Sequence, residues 1–122
     1  MDEAVGRVVA QPMRPGEPVG PAAVVASVSY EGDVAGLPKT AAVFVFARRS
    51  GERMPVAVER LAPARLPVDV VFRHEAGAEL EIVARVSLLG GAKLEEGDVE
   101  SAVTVVAPGE GEKVIALRLP GI

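Results

Sequence analysis

Apolar and polar residues alternate in short runs along most of this chain. Within Ala22–Tyr30, Val24, Ala26, Val28 and Tyr30 fall on one side, and Val25, Ser27 and Ser29 on the other. That is the two-residue period of a strand. The period is clearest over residues 80–88, where Leu80, Ile82, Ala84, Val86 and Leu88 alternate with Glu81, Val83, Arg85 and Ser87. Val68, Val70 and Phe72 alternate in the same way with Asp69, Val71 and Arg73. Residues 41–47 break the alternation, because Ala-Ala-Val-Phe-Val-Phe-Ala is apolar throughout. Such a run suits a central strand, or one with a face covered by a partner. Further strands are predicted over residues 56–61, 102–107 and 113–119. Glu31-Gly32-Asp33, the charged stretch 48–53, residues 75–77, Gly90-Gly91 and residues 95–98 punctuate them, and Pro63 and Pro67 bracket a bend. No segment sustains a helical period, and no repeat is present.

Pro12, Pro15, Pro18 and Pro21, with Gly16 and Gly20, make residues 11–21 unsuited to a helix or a central strand. This stretch reads as an extended linker. Residues 4–10 are open to a short strand or to disorder. The predicted organisation is therefore an N-terminal segment and Pro/Gly-rich linker over residues 1–21, followed by one domain over residues 22–122. About seven short strands at this spacing predict an all-β fold, a single antiparallel β-sandwich of immunoglobulin-like architecture.

Composition narrows the picture. The chain has 122 residues, enough for one hydrophobic core. The net charge of −4 argues against a nucleic-acid binder, which usually shows a basic face. The absence of cysteine removes disulfides, thiolate metal sites and thiol nucleophiles. No apolar run approaches the ~20 residues that span a bilayer, so no membrane insertion is predicted within this chain. Residues 1–10 do not read as a signal peptide. Either a cytoplasmic protein or a piece of a longer exported one fits that reading.

No catalytic, cofactor-binding or metal-ligating set emerges. His74 is the one histidine, too few for a two-histidine site, and reads as an exposed turn residue. The acidic positions Asp33, Asp69, Glu95, Glu96, Asp98 and Glu100 lack the spacing of a calcium loop. Gly90-Gly91-Ala92-Lys93-Leu94 lacks the residues of a phosphate loop. Arg48, Arg49 and Arg53 read as a charged hairpin tip. Arg48, Arg60 and Arg85 carry more information, because each ends or interrupts a strand that is otherwise apolar. An arginine so placed is either paired with a carboxylate or exposed for binding. Asp98 is a candidate partner for Arg85 if the last strands fold back beside it.

Several motifs then occur in a telling order. They are Val43-Phe-Val-Phe-Ala-Arg48, Gly51, Met54-Pro-Val-Ala-Val-Glu-Arg-Leu61, Leu66-Pro67, Ala84-Arg-Val-Ser87 and Gly97-Asp98. Over residues 22–119 this order resembles the C-terminal periplasmic domain of CcmI, a component of bacterial cytochrome c maturation. The resemblance implies an exported domain on the outer side of the cytoplasmic membrane. In that family the domain follows a membrane anchor and tetratricopeptide repeats that grip unfolded apocytochrome c, and neither is in this chain. Two departures stand out. The family's acidic, Met-rich loop is replaced by Phe72-Arg-His-Glu-Ala-Gly77, and its "SKSG" by Ser87-Leu-Leu-Gly90.

The expectation is a non-enzymatic interaction domain, periplasmic and tethered to the inner membrane, that assists apocytochrome c handling for haem attachment. Its partners are apocytochrome c or other maturation proteins, and it needs no cofactor. The partner-binding candidates are Arg48, Met54, Arg60 and Arg85. Arginine supplies directional donors and methionine an adaptable apolar contact. Met54 does not read as a haem ligand, since no histidine or cysteine accompanies it nearby. The alternative is a structural or assembly sandwich module with no client of its own. An enzyme or sugar binder would require a concave pocket with converging polar groups.

Overall fold

The computed structural model describes residues 6–12, 22–74, 77, 79–91, 98–107, 109 and 112–121. Among them run ten strands: β1 (Gly6–Val9), β2 (Gln11–Pro12), β3 (Ala22–Tyr30), β4 (Ala42–Arg49), β5 (Ala57–Leu61), β6 (Val68–His74), β7 (Leu80–Ser87), β8 (Val99–Glu100), β9 (Thr104–Val106) and β10 (Glu112–Leu119). Every strand predicted after residue 21 is present, with β8 added ahead of β9. Two single 3₁₀ turns, Val34–Gly36 and Pro63–Arg65, are the helical elements among the described residues.

The strands form two sheets. One has the order β1-β6-β3-β10; the other runs β2-β5-β4-β7-β8, with β9 also paired to β7. The all-β sandwich is as expected, and its inner pairs β3–β6, β4–β5 and β4–β7 are antiparallel. The two outer pairs of the four-stranded sheet, β1–β6 and β3–β10, are parallel. Alternation along one strand marks its faces but not its neighbour's direction. Residues 6–12 add an edge strand to each sheet. Residues 13–21, most of the Pro/Gly-rich stretch, lie outside the described residues.

Alternation places the core. Val24, Ala26 and Val28 of β3 and Val68, Val70 and Phe72 of β6 face Val43, Val45 and Ala47 of β4 and Leu80, Ile82, Ala84 and Val86 of β7. Leu117 and Leu119 of β10 close one side. Phe72 is the aromatic within this core. The rest is mostly valine and alanine, whose small, stiff side chains pack closely on twisted sheets.

Two local devices hold the six-stranded sheet in register. Arg85 pairs with Glu100 and Ile82 with Thr104, so three steps along β7 oppose four on the partner segment. The extra residue makes a bulge. Ser101, buried in it, repairs the ladder: its Oγ accepts the Ala84 N–H at 2.9 Å, and its own N–H donates to the Ala84 carbonyl at 2.8 Å. At the end of β7, Gly90 adopts φ +81°. A Cβ there would stand 2.5 Å from the Thr40 carbonyl oxygen, so the turn requires glycine.

Replacing Ser101 with alanine should orphan a buried N–H and cost about 1–3 kcal/mol. Urea unfolding checks this as a lower midpoint at unchanged slope. Gly90→Ala should cost at least the roughly 1–2 kcal/mol of a left-handed alanine, read in the same assay.

Candidate functional site

The six-stranded sheet carries two aromatic side chains on its outer face. β4 lies between β5 and β7, so its odd-numbered residues enter the core and Phe44 and Phe46 point away from it. The two rings stack, with centroids 5.9 Å apart and planes 12° from parallel. Cross-strand register sets Arg60 of β5 and Arg85 of β7 on either side of Phe44. The Arg60 guanidinium lies 5.9 Å from the Phe44 centroid, and that of Arg85 lies 5.0 Å from the Phe46 centroid. Both are within cation–π range. Phe44 is thereby buried on the outside of the sheet, 6% exposed.

Carboxylates fix two of the arginines. Arg48 Nε donates to Glu81 Oε1 at 2.8 Å, directly across the β4–β7 pair. Arg85 donates to Glu100 Oε2 from Nε at 2.7 Å and from Nη2 at 2.6 Å. Such surface pairs stabilise little, but they orient the guanidinium groups. Asp98, the candidate partner, accepts the Leu88 N–H at 2.9 Å. The register places both carboxylates: Glu100 stands opposite Arg85, and Asp98 lies two residues further along, level with the end of β7. Among the described residues no carboxylate pairs with Arg53 or Arg60.

Beside the rings lies a groove of about 340 Å³. Phe46 and Val83 form its floor, Arg53 and Pro55 one wall, and Glu100 and Val103 the other, with the Arg48–Glu81 pair and Arg85 between. The structure thus gathers Arg48, Arg60 and Arg85 on one face. Met54 is on the turn between β4 and β5, flanked by the two wall residues and 68% exposed. Sequence reasoning named the cations and missed the surface beneath them, namely Phe44, Phe46 and Val83. The signal was the apolar run of residues 41–47, whose second face needed a cover. Arg53, read as a hairpin tip, is also a groove residue.

His74 ends β6, in register with Ala22; Glu95 and Glu96 lie outside the described residues. Among the described residues no group of three or more histidine, aspartate or glutamate side chains could hold a metal ion. Glu59 opposes Val45 and shares the inner face of its sheet. Burial pushes its carboxyl up from the ordinary value, and the nearby Arg65 cation partly opposes this.

Two packed sheets with a strand split between their edges define this chain as an immunoglobulin-like sandwich. The Ig-like domain of cytochrome c-type biogenesis protein H matches residues 24–119, and the chain belongs to that family. No curated protein matches the sequence. Among solved structures, an alternative pilotin from the type II secretion system of Vibrio cholerae is similar at 14% identity with a TM-score of 0.47, covering 82% of this chain and 96% of that one.

A raised carboxyl pKa in the fold means that the native state holds this proton more tightly than the unfolded state. The cost of ionised Glu59 is absent in acid and grows as pH rises through the raised pKa. Glu59→Gln should therefore raise the melting temperature at neutral pH and leave it unchanged below the ordinary carboxylate range. Paired melting curves check this.

Proposed function

We propose that this domain is a non-catalytic interaction module of c-type cytochrome maturation, which holds haem-free apocytochrome c on the outer face of the six-stranded sheet. The observation that carries the reading is the Phe44–Phe46 pair beneath Arg60 and Arg85. A guanidinium held over a ring keeps its in-plane N–H donors directed outward, and Arg60, which no described carboxylate pairs, presents them to a partner. An unfolded client offers free backbone carbonyls for those donors and apolar side chains for the Phe46–Val83 floor. A folded, haem-loaded cytochrome buries both, so this face distinguishes client from product.

Membership in the biogenesis family supports the pathway, and the motif order over residues 43–98 supports the narrower likeness to CcmI. With that likeness come a periplasmic location and a tether to the inner membrane. Neither departure from the family pattern removes a residue of this face. The replaced Met-rich loop follows β6 in the other sheet, and the Ser87-Leu-Leu-Gly90 turn follows β7. Met54, exposed at the rim, supplies a soft contact that suits clients of varied sequence.

The test is an NMR titration of the labelled domain with reduced apocytochrome c, and separately with the holoprotein. Shifts should cluster at Arg48, Met54, Arg60 and Arg85 and appear with the apo form alone. Silence at millimolar client would overturn the reading in favour of a structural module.

A further inference from the structure

The four-stranded sheet ends on β10, which pairs with β3 along its whole length. No described strand pairs with its other side. The remaining edges are blunted, since β1 has four residues, β2 two, and β8 and β9 two and three around a bulge. At eight residues, without proline or bulge, β10 is the long edge among the described strands. An edge of that kind presents a row of unpaired backbone groups, a template for another strand.

The ladder shows which groups are free. In a parallel pair, residues of one parity direct both backbone groups at the neighbour. Leu119 is in register with Tyr30, and its carbonyl accepts the Glu31 N–H at 2.8 Å. Lys113, Ile115, Leu117 and Leu119 therefore bond to β3, while Glu112, Val114, Ala116 and Arg118 aim their N–H and C=O groups at the open edge. The side chains of these four are all exposed, Val114 at 69%.

We propose that β10 pairs antiparallel with β10 of a second copy, about a twofold axis at Ile115, joining two four-stranded sheets into one. In that register residue i opposes residue 230 − i, so Glu112 meets Arg118, Val114 meets Ala116, and Ile115 meets itself. The edge-facing residues all become hydrogen-bonded pairs, as an antiparallel ladder requires. Charge complementarity selects this occupant. Glu112 and Arg118 have no ion-pair partner among the described residues, and six residues of strand hold them about 20 Å apart on one chain. A second copy brings each against its opposite twice, flanking the exposed Val114 and Ala116. The interface is self-complementary, as a twofold dimer demands. Lys113, an inward charge of the sort that protects edges, is tied back to the Ala107 carbonyl at 2.6 Å.

Sedimentation velocity over a concentration series tests the pairing. The chain should self-associate reversibly. Arg118→Glu, which sets like charges opposite each other twice, should weaken association by about tenfold. Glu112→Arg with Arg118→Glu should restore it. Both positions are exposed, and circular dichroism confirms that each variant folds. A monomer at millimolar concentration overturns the proposal, as does association that ignores Arg118→Glu or is not restored by the double swap. If the chain alone is monomeric and its β10 amides shift only with apocytochrome c, the edge takes a client strand and the second-copy assignment fails.

Discussion

β4 is apolar on both faces, and the rest of the six-stranded sheet is organised around covering it. Val43, Val45 and Ala47 are covered by the opposing sheet, which is the ordinary hydrophobic solution. No second layer lies over Phe44 and Phe46 among the described strands. Their cover comes instead from long cationic side chains on the neighbours, Arg60 and Arg85, whose planar heads lie over the rings. Arginine can do this because its guanidinium is weakly hydrated and flat, so it shields apolar surface while remaining wet at its edges. A second sheet would bury such a face completely, whereas the arginine cover leaves charged groups at the surface. One strand thereby joins the stability of the fold to the chemistry of its surface.

The same sheet shows what keeps that surface in place. If β7 slipped by one residue, Arg85 would turn inward and Ala84 outward. The Ser101 bulge pins β7 against β8 and β9 by a side-chain hydrogen bond as well as by backbone bonds. Gly90 lets the chain leave β7 against the Thr40 carbonyl without a clash. Glu100, just before the bulge, then stands where it can hold Arg85 over Phe46. The site depends on backbone details several residues away from it.

Much of the fold was legible because its strands are half-buried and alternate. Residues 80–88 declared a face, and the structure buries Leu80, Ile82, Ala84 and Val86 together. What alternation cannot carry is pairing direction and register. The parallel β1–β6 and β3–β10 pairs were therefore not foreseen, nor was Glu100 as an ion-pair partner of Arg85. The arginines of the candidate site were readable as charges interrupting apolar strands. The stacked phenylalanines were not, because the run of residues 41–47 says that two faces are apolar without saying which residues lie outside. Arg53 illustrates the same limit: a turn residue becomes part of a groove only when β8 and β9 return beside it.

Membership in the biogenesis family supports a role in cytochrome c maturation, and the proposed reading puts client contact on the arginine-covered aromatic face. The central claim is that contact is made there and not on the opposite sheet. Site-specific photocrosslinking tests it most directly, with a photoreactive residue at Met54 and, in a second protein, at Val114 on the far side. Reduced apocytochrome c should give an adduct from position 54 that haem-loaded cytochrome does not give, with little from position 114. Equal labelling from both positions, or equal labelling of apo and holo forms, would contradict the account.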